Sequence, residues 1–230
     1  MLLCECIVEG TEVRVAVWQI TEDEDGLLSL LAAIQAEDAY VAVQERLTAL
    51  HNPSRRCEWL AVRVLIAQCL GGDKVVTYDA DGRPSLTDHS CVISISHTKG
   101  YAVLAWHPTK FVGVDIERRT ERVMRVVSKY VNADESAALQ SSRFCSPDGE
   151  LLLWTAKEAL YKAVGIRLLD CQNQLTVSVP KSSASSDWLK TTAFCSANAQ
   201  EYDVFCSFIV VEGCVLSFCA PSVQADTGDN

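Results

Sequence analysis

Positive charge is what this chain has least of. Twenty Lys and Arg stand against thirty Asp and Glu, for a formal net charge of −10 at pH 7. A general nucleic-acid binder needs a basic face to displace counterions from phosphates, so that class is disfavoured and only a local basic patch remains open. Long apolar runs are missing too. No stretch approaches the ~20 apolar residues that span a bilayer. The most apolar early run, Leu27 to Ile34, is short and follows Glu22, Asp23, Glu24 and Asp25. The opening residues Met1 to Glu5 carry neither a basic segment nor a long apolar one, which argues against a signal peptide. Eleven cysteines are present, an odd count with no C-x-x-C pair, and Cys57, Cys69, Cys91, Cys206 and Cys219 sit within apolar runs. That is the usage of a small hydrophobe in a reducing compartment, neither a disulfide framework nor a zinc site, and the expected location is the cytoplasm.

What is present suits a globular chain: 230 residues, 49% apolar and 22% charged, enough for one large α+β domain or two small halves. Alternation predicts strands over 13–18, 91–96 and 101–106, a strong strand over 111–116, and a β-rich end with 175–179 and a 203–211/214–219 hairpin turning at Glu212-Gly213. Helical spacing predicts 37–50, broken by Asn52-Pro53, then 55–70, capped by Ser54 and stopped at Gly71-Gly72. A basic helix is expected over 119–130, and another from Ser146-Pro147 to Gly165. Residues 182–187 read as a polar loop, and 221–230 as a flexible tail. Trp59, Ala61 and Leu65 recur at the same spacing as Trp154, Ala156 and Leu160. That echo is either coincidence or the trace of a duplicated α+β unit.

Four clusters carry chemistry. On a strand, Asp115 and Glu117 of Gly-Val-Asp-Ile-Glu share one face while Val114 and Ile116 take the other. Two carboxylates so placed suit a hard cation such as Mg²⁺, or else a solvated edge. In Trp-Thr-Ala-Lys-Glu-Ala-Leu-Tyr-Lys (154–162), Glu158 and Lys162 form either a plain i,i+4 pair or a third metal carboxylate beside a phosphate-holding ammonium, with Lys157 alongside. Ser96-His97 could donate hydrogen bonds to a phosphate, and the Gly82-Arg83-Pro84 turn presents one Arg.

Taken in order, G-R-P-x-L, I-S-H-T, G-V-D-I-E and W-x-x-K-E-A-x-x-K resemble the 4′-phosphopantetheinyl transferase superfamily, of the long surfactin-synthetase-activating (Sfp-like) type. The resemblance covers roughly residues 50–165; positions 1–50 and 170–230 contribute no motif. It implies an α+β fold of two similar halves about a pseudo-twofold axis, each a small antiparallel sheet on a long helix, with the active site at the seam. The halves would be 1–109, binding coenzyme A, and 110–220, holding the metal and catalytic residues. The implied reaction moves the phosphopantetheine arm of coenzyme A onto a serine of an apo acyl or peptidyl carrier protein, releasing adenosine 3′,5′-bisphosphate.

The same resemblance makes Asp115, Glu117 and Glu158 the Mg²⁺ ligands. Glu158 takes the serine proton, directly or through a metal-bound water, and Lys162 and His97 contact the pyrophosphate beside Ser96. Lys157 supports the same charge, and Arg83 with Pro84 lies near the adenine or its phosphates. Arg83 departs from the family's commoner Lys. The family's 3′-phosphate residues have few counterparts in positions 1–50, so Arg55, Arg56 and Arg63 become candidates. Arg56 and Arg63 are seven apart, hence on one face, and ordinary surface arginines are the equal alternative. The basic run Arg118, Arg119, Arg122, Arg125 and Lys129 is either a solvated face or a steering surface for an acidic carrier. A monomer is expected, without nucleic-acid or membrane partners. The competing readings are a Mg²⁺-dependent phosphodiesterase and a non-catalytic coenzyme A- or carrier-binding module.

Overall fold

Alternating burial along the strands decides the layering. In strand β2 (Arg14–Gln19) Ala16 and Trp18 face one apolar cluster while Val15 and Val17 face another. Both faces are covered, so the strand reads as a nearly continuous apolar run. The computed structural model describes residues 1–7, 11–142, 144, 148–179, 188–207, 211 and 213–221. The predicted cap Ser146-Pro147, the loop 182–187, Glu212 and the tail after Pro221 lie outside the described residues.

One antiparallel sheet has the order β1-β2-β6-β5, from β1 (Leu2–Ile7), β2, β5 (Val92–Thr98) and β6 (Tyr101–His107). The second runs β7-β11-β10-β9-β8, from β7 (Gly113–Arg118), β8 (Leu175–Val177), β9 (Leu189–Cys195), β10 (Gln200–Ser207) and β11 (Cys214–Pro221). A short β3 (Val76–Tyr78) and β4 (Pro84–Leu86) pair separately. Helices α1 (Glu24–Ile34), α2 (Glu37–Leu47) and α3 (Pro53–Leu70) cover the outer face of the first sheet. The long α6 (Asp148–Val164) covers that of the second, with α5 (Ala133–Gln140) beside it. The inner faces pack on each other through Val15, Val103, Val114, Ile116, Leu216 and Phe218. The result is a mixed α+β architecture in four layers, helix, sheet, sheet, helix.

Each sheet repeats one path. The chain runs β2, α3, β5, β6 with spatial order β2-β6-β5, and again β7, α6, β10, β11 with order β7-β11-β10. The echoed residues occupy matching places: Ala61 and Leu65 on α3, and Ala156 and Leu160 on α6, are all fully buried.

Several expectations need correction. Strand β1 precedes the predicted first strand, and α1, α5 and β9 had not been anticipated. Helix α3 starts at Pro53, and its cap is Asn52, whose side chain accepts from the Arg55 N–H; Asn52-Pro53 opens the helix where a break was expected. Proline fits there because the first-turn N–H groups have no intrahelical partner. The basic stretch 119–130 is not one helix but α4 (Glu121–Arg125) and a 3₁₀ turn (Val127–Lys129). The break falls at Val126-Val127, where β-branching disfavours continued helix. Among the described residues no helix is long and apolar enough to cross a membrane, and each described cysteine is a free thiol.

Candidate active site

The two sheets meet edge to edge where β5 runs beside β7, and the contact is made by serines. The Val114 N–H donates to Ser94 Oγ at 3.0 Å and the Ile116 N–H to Ser96 Oγ at 3.3 Å. Both hydroxyls are buried. They satisfy amides that a sheet edge would otherwise leave unpaired, without closing a continuous ladder.

Ser96 Oγ then donates to Asp115 Oδ1 at 2.8 Å. Lys162 Nζ, from the last turn of α6, reaches the same oxygen at 2.9 Å, the Val114 carbonyl at 2.8 Å and the Ile95 carbonyl at 3.4 Å. Lys162 therefore bridges both edges. Strand β7 can lie this close to α6 because of the glycine in Gly-Val-Asp-Ile-Glu. A Cβ on Gly113 would stand 1.9 Å from the Ala159 carbonyl oxygen.

Asp115 is only 6% exposed. Its second oxygen, Oδ2, is buried with no hydrogen-bond partner among the described residues, which is costly for a carboxylate unless something else meets it. Across from it, burial first, then the negative charge of Asp115 and to a lesser degree Glu117, push the Glu158 carboxyl up to about 7 against the pull of Lys162. Negative charge accumulates here faster than Lys162 neutralises it. An orphaned carboxylate oxygen and a carboxyl reluctant to ionise in the presence of its charge are the donor chemistry a hard divalent cation satisfies, so these residues fit one. Among the described residues no group of three such side chains is already gathered as a metal cage.

Beside the seam lies a cleft of about 280 Å³ lined by Arg83, Pro84, Ile95, Phe111, Tyr161 and Lys162. Arg83 Nη2 donates to the Lys162 carbonyl at 3.2 Å, over the end of α6. There Gly165 takes φ +70° and leaves room for the guanidinium. In the other direction along β5, beyond Ser96, His97 packs against α3. Its Nδ1 lies 3.2 Å from Glu58 Oε2 and its Nε2 3.2 Å from Arg55 Nη1. Burial, chiefly, lowers the ring's pKa, and Glu58 opposes it.

The structure turns other sequence candidates elsewhere. Lys157 does not face the cleft: it is 1% exposed, paired with Glu135 at 2.8 Å, and donates to the carbonyls of Tyr130 and Cys171. Ser96 has its hydroxyl committed to the seam. Arg56 clamps Glu24 through two nitrogens and donates to the carbonyls of Leu47 and Leu50, tying α1 and α2 to α3. Arg63 is buried, stacked 3.8 Å over Trp59 and bonded to the Tyr78 hydroxyl. Of the three arginines on α3, it is Arg55 that stands beside His97. Sequence reasoning missed Ser94 and Glu58; Glu58 carries no local signal because its partner lies 39 positions away.

Comparison with known proteins gives matching results. Residues 111–219 match the family described as the 4′-phosphopantetheinyl transferase superfamily (ACPS). The 4′-phosphopantetheinyl transferase AcpT of Salmonella typhi is 28% identical over 147 residues, 61% of this chain and 72% of the relative. AcpT of Salmonella typhimurium gives the same figures.

Proposed function

We propose that the chain is a 4′-phosphopantetheinyl transferase, the family whose model its residues 111–219 match. It moves the 4′-phosphopantetheine arm of coenzyme A onto a serine hydroxyl of an apo acyl or peptidyl carrier protein, releasing adenosine 3′,5′-bisphosphate. The observation that carries this reading is the Asp115–Glu158 pair, from β7 and α6 inside the family match, in which burial and the charge of Asp115 raise the Glu158 carboxyl while Asp115 Oδ2 stays unmet.

In this reading Asp115, Glu117 and Glu158 hold a divalent ion, Mg²⁺ first, which supplies charge neutralisation on the pyrophosphate. Glu158 is the group to take the serine proton, directly or through a metal-bound water. Lys162 turns from its backbone acceptors towards the pyrophosphate, with His97 and Arg55 at the other end of β5. The cleft beside Arg83 and Pro84 receives the nucleotide end.

The repeated β2-α3-β5-β6 and β7-α6-β10-β11 paths support two halves, 1–109 and 110–220, about a pseudo-twofold axis, with the site at their seam. A cytoplasmic monomer of the Sfp-like type completes the proposal. The test is incubation with coenzyme A and Mg²⁺, with and without an apo carrier protein. Adenosine 3′,5′-bisphosphate should form only with the acceptor. Release without it would mean a phosphodiesterase, and no release in either case would overturn the transfer reading.

A further inference from the structure

Hydrogen-bond chemistry fixes the state of His97. A neutral imidazole carries one hydrogen, and Nδ1 is the ring nitrogen on the Glu58 side, 3.2 Å from Oε2. A guanidinium only donates, so Nε2, 3.2 Å from Arg55 Nη1, presents its lone pair. The three groups close a triangle, since Arg55 Nη1 also lies 3.5 Å from Glu58 Oε2. Glu58 is the inner member: its side chain is 12% exposed, against 30% for His97 and 63% for Arg55. Ser54 Oγ donates to its other oxygen at 3.3 Å, so the carboxylate is anchored on the first two turns of α3.

We propose that Glu58 is a positioning residue for the transfer reaction, holding His97 in the Nδ1–H tautomer with Nε2 turned to Arg55, so that ring and guanidinium meet one phosphate group of coenzyme A together. This rests on the transferase reading above. A phosphate needs donors, and Arg55 supplies one as it stands. His97 supplies a second through Nε2 once it takes a proton from solvent. The charges facing the ring are Glu58 and Arg55 from α3, Lys162 from α6 and Asp115 from β7. Of the two acids, Glu58 is the one in contact with the ring, its Oε2 3.2 Å from Nδ1. A histidine whose second nitrogen is held by a carboxylate keeps one ring orientation and one tautomer.

Two measurements on the full chain test this. Nitrogen NMR of the His97 ring without ligand should show the Nδ1–H form in the parent and in Glu58→Gln, whose amide oxygen still accepts. Glu58→Ala should lose that preference. In transfer assays Glu58→Ala should raise KM for coenzyme A about tenfold with kcat changed less than about twofold, and Glu58→Gln should recover most of the loss. Combined with His97→Ala, Glu58→Ala should add nothing further. An Nε2–H ring in the parent, an unchanged KM in Glu58→Ala, or multiplying effects in the double variant would overturn the proposal. A chain that transfers nothing from coenzyme A would sink the functional reading instead, and the ring tautomer would still decide the role of Glu58.

Discussion

Glu158 sits where burial and neighbouring negative charge both oppose its ionisation. Its carboxyl is pushed from 4.5 up to about 7 by burial and by the charge of Asp115 and Glu117. The folded chain thus holds that proton more tightly than the unfolded chain. Ionisation of Glu158 costs stability as pH rises from about 4.5 to above about 7, and none below that window. Without a divalent ion, Glu158→Gln should be more stable than the parent at about pH 8, by up to about 3 kcal/mol. The two should converge near pH 4, and Mg²⁺ should remove the difference at the higher pH. Thermal unfolding with and without the ion reads all three; a parent more stable than the variant at the higher pH without Mg²⁺ would contradict the electrostatics.

At this scale the sequence was only half legible. The motifs marked Asp115, Glu158 and Lys162, and the structure brings them to one seam. Lys157 sits one position before Glu158, a rotation of about 100° around the helix. That step carries it from the cleft to Glu135, and only the packing of α5 against α6 reveals it. Arg56 and Arg63 do share a face, but the face turns to α1, α2 and Tyr78, a destination no spacing rule supplies.

Helices and strands set the distances between these groups. Gly113 is where β7 touches α6, and Gly113→Ala would drive a methyl into the Ala159 carbonyl. The strand must move, carrying Asp115 away from Glu158. We expect Gly113→Ala to lose about 2 kcal/mol or more in denaturant unfolding and to lose most transfer activity. A variant with parental activity would mean the close approach is not needed.

The Lys157–Glu135 pair ties α6 to α5. Lys157→Met should cost about 3 kcal/mol, because Glu135 is left buried with its charge unpaired. The KM for coenzyme A of the folded variant should match the parent. A raised KM with unchanged stability would restore Lys157 to the cofactor site. Strong periodicity made α2, α3 and α6 readable. Helix α1 was hidden by its acidic opening, and α5 by its brevity, although its Asn132–Glu135 capping box is a signal the sequence does carry.

The whole molecule carries net charge −10, so an acidic carrier approaches against a general repulsion unless a basic surface receives it. Arg125 is exposed on α4 just past the end of β7, held at 2.6 Å by Glu121. Arg125→Glu should raise KM for an acidic carrier several-fold at low salt while leaving that for coenzyme A unchanged, the gap shrinking as salt rises. Equal effects on both substrates would remove α4 from carrier docking. The likeness of the two sheets was visible beforehand only as three matched residues. Strand order gives both the same path, and pairing between β2 and β6 or β7 and β11 is a long-range fact that local spacing does not encode.

The central claim is that a carboxylate pair at the junction of β7 and α6 drives transfer to a carrier. The most direct measurement is the intact mass of an apo carrier protein after exposure to this chain, coenzyme A and Mg²⁺, run beside Glu158→Gln. The parent should add one phosphopantetheine to the carrier's serine, and the variant should add it at least about a hundredfold more slowly. An unmodified carrier with the parent, or equal labelling by both, would contradict the account.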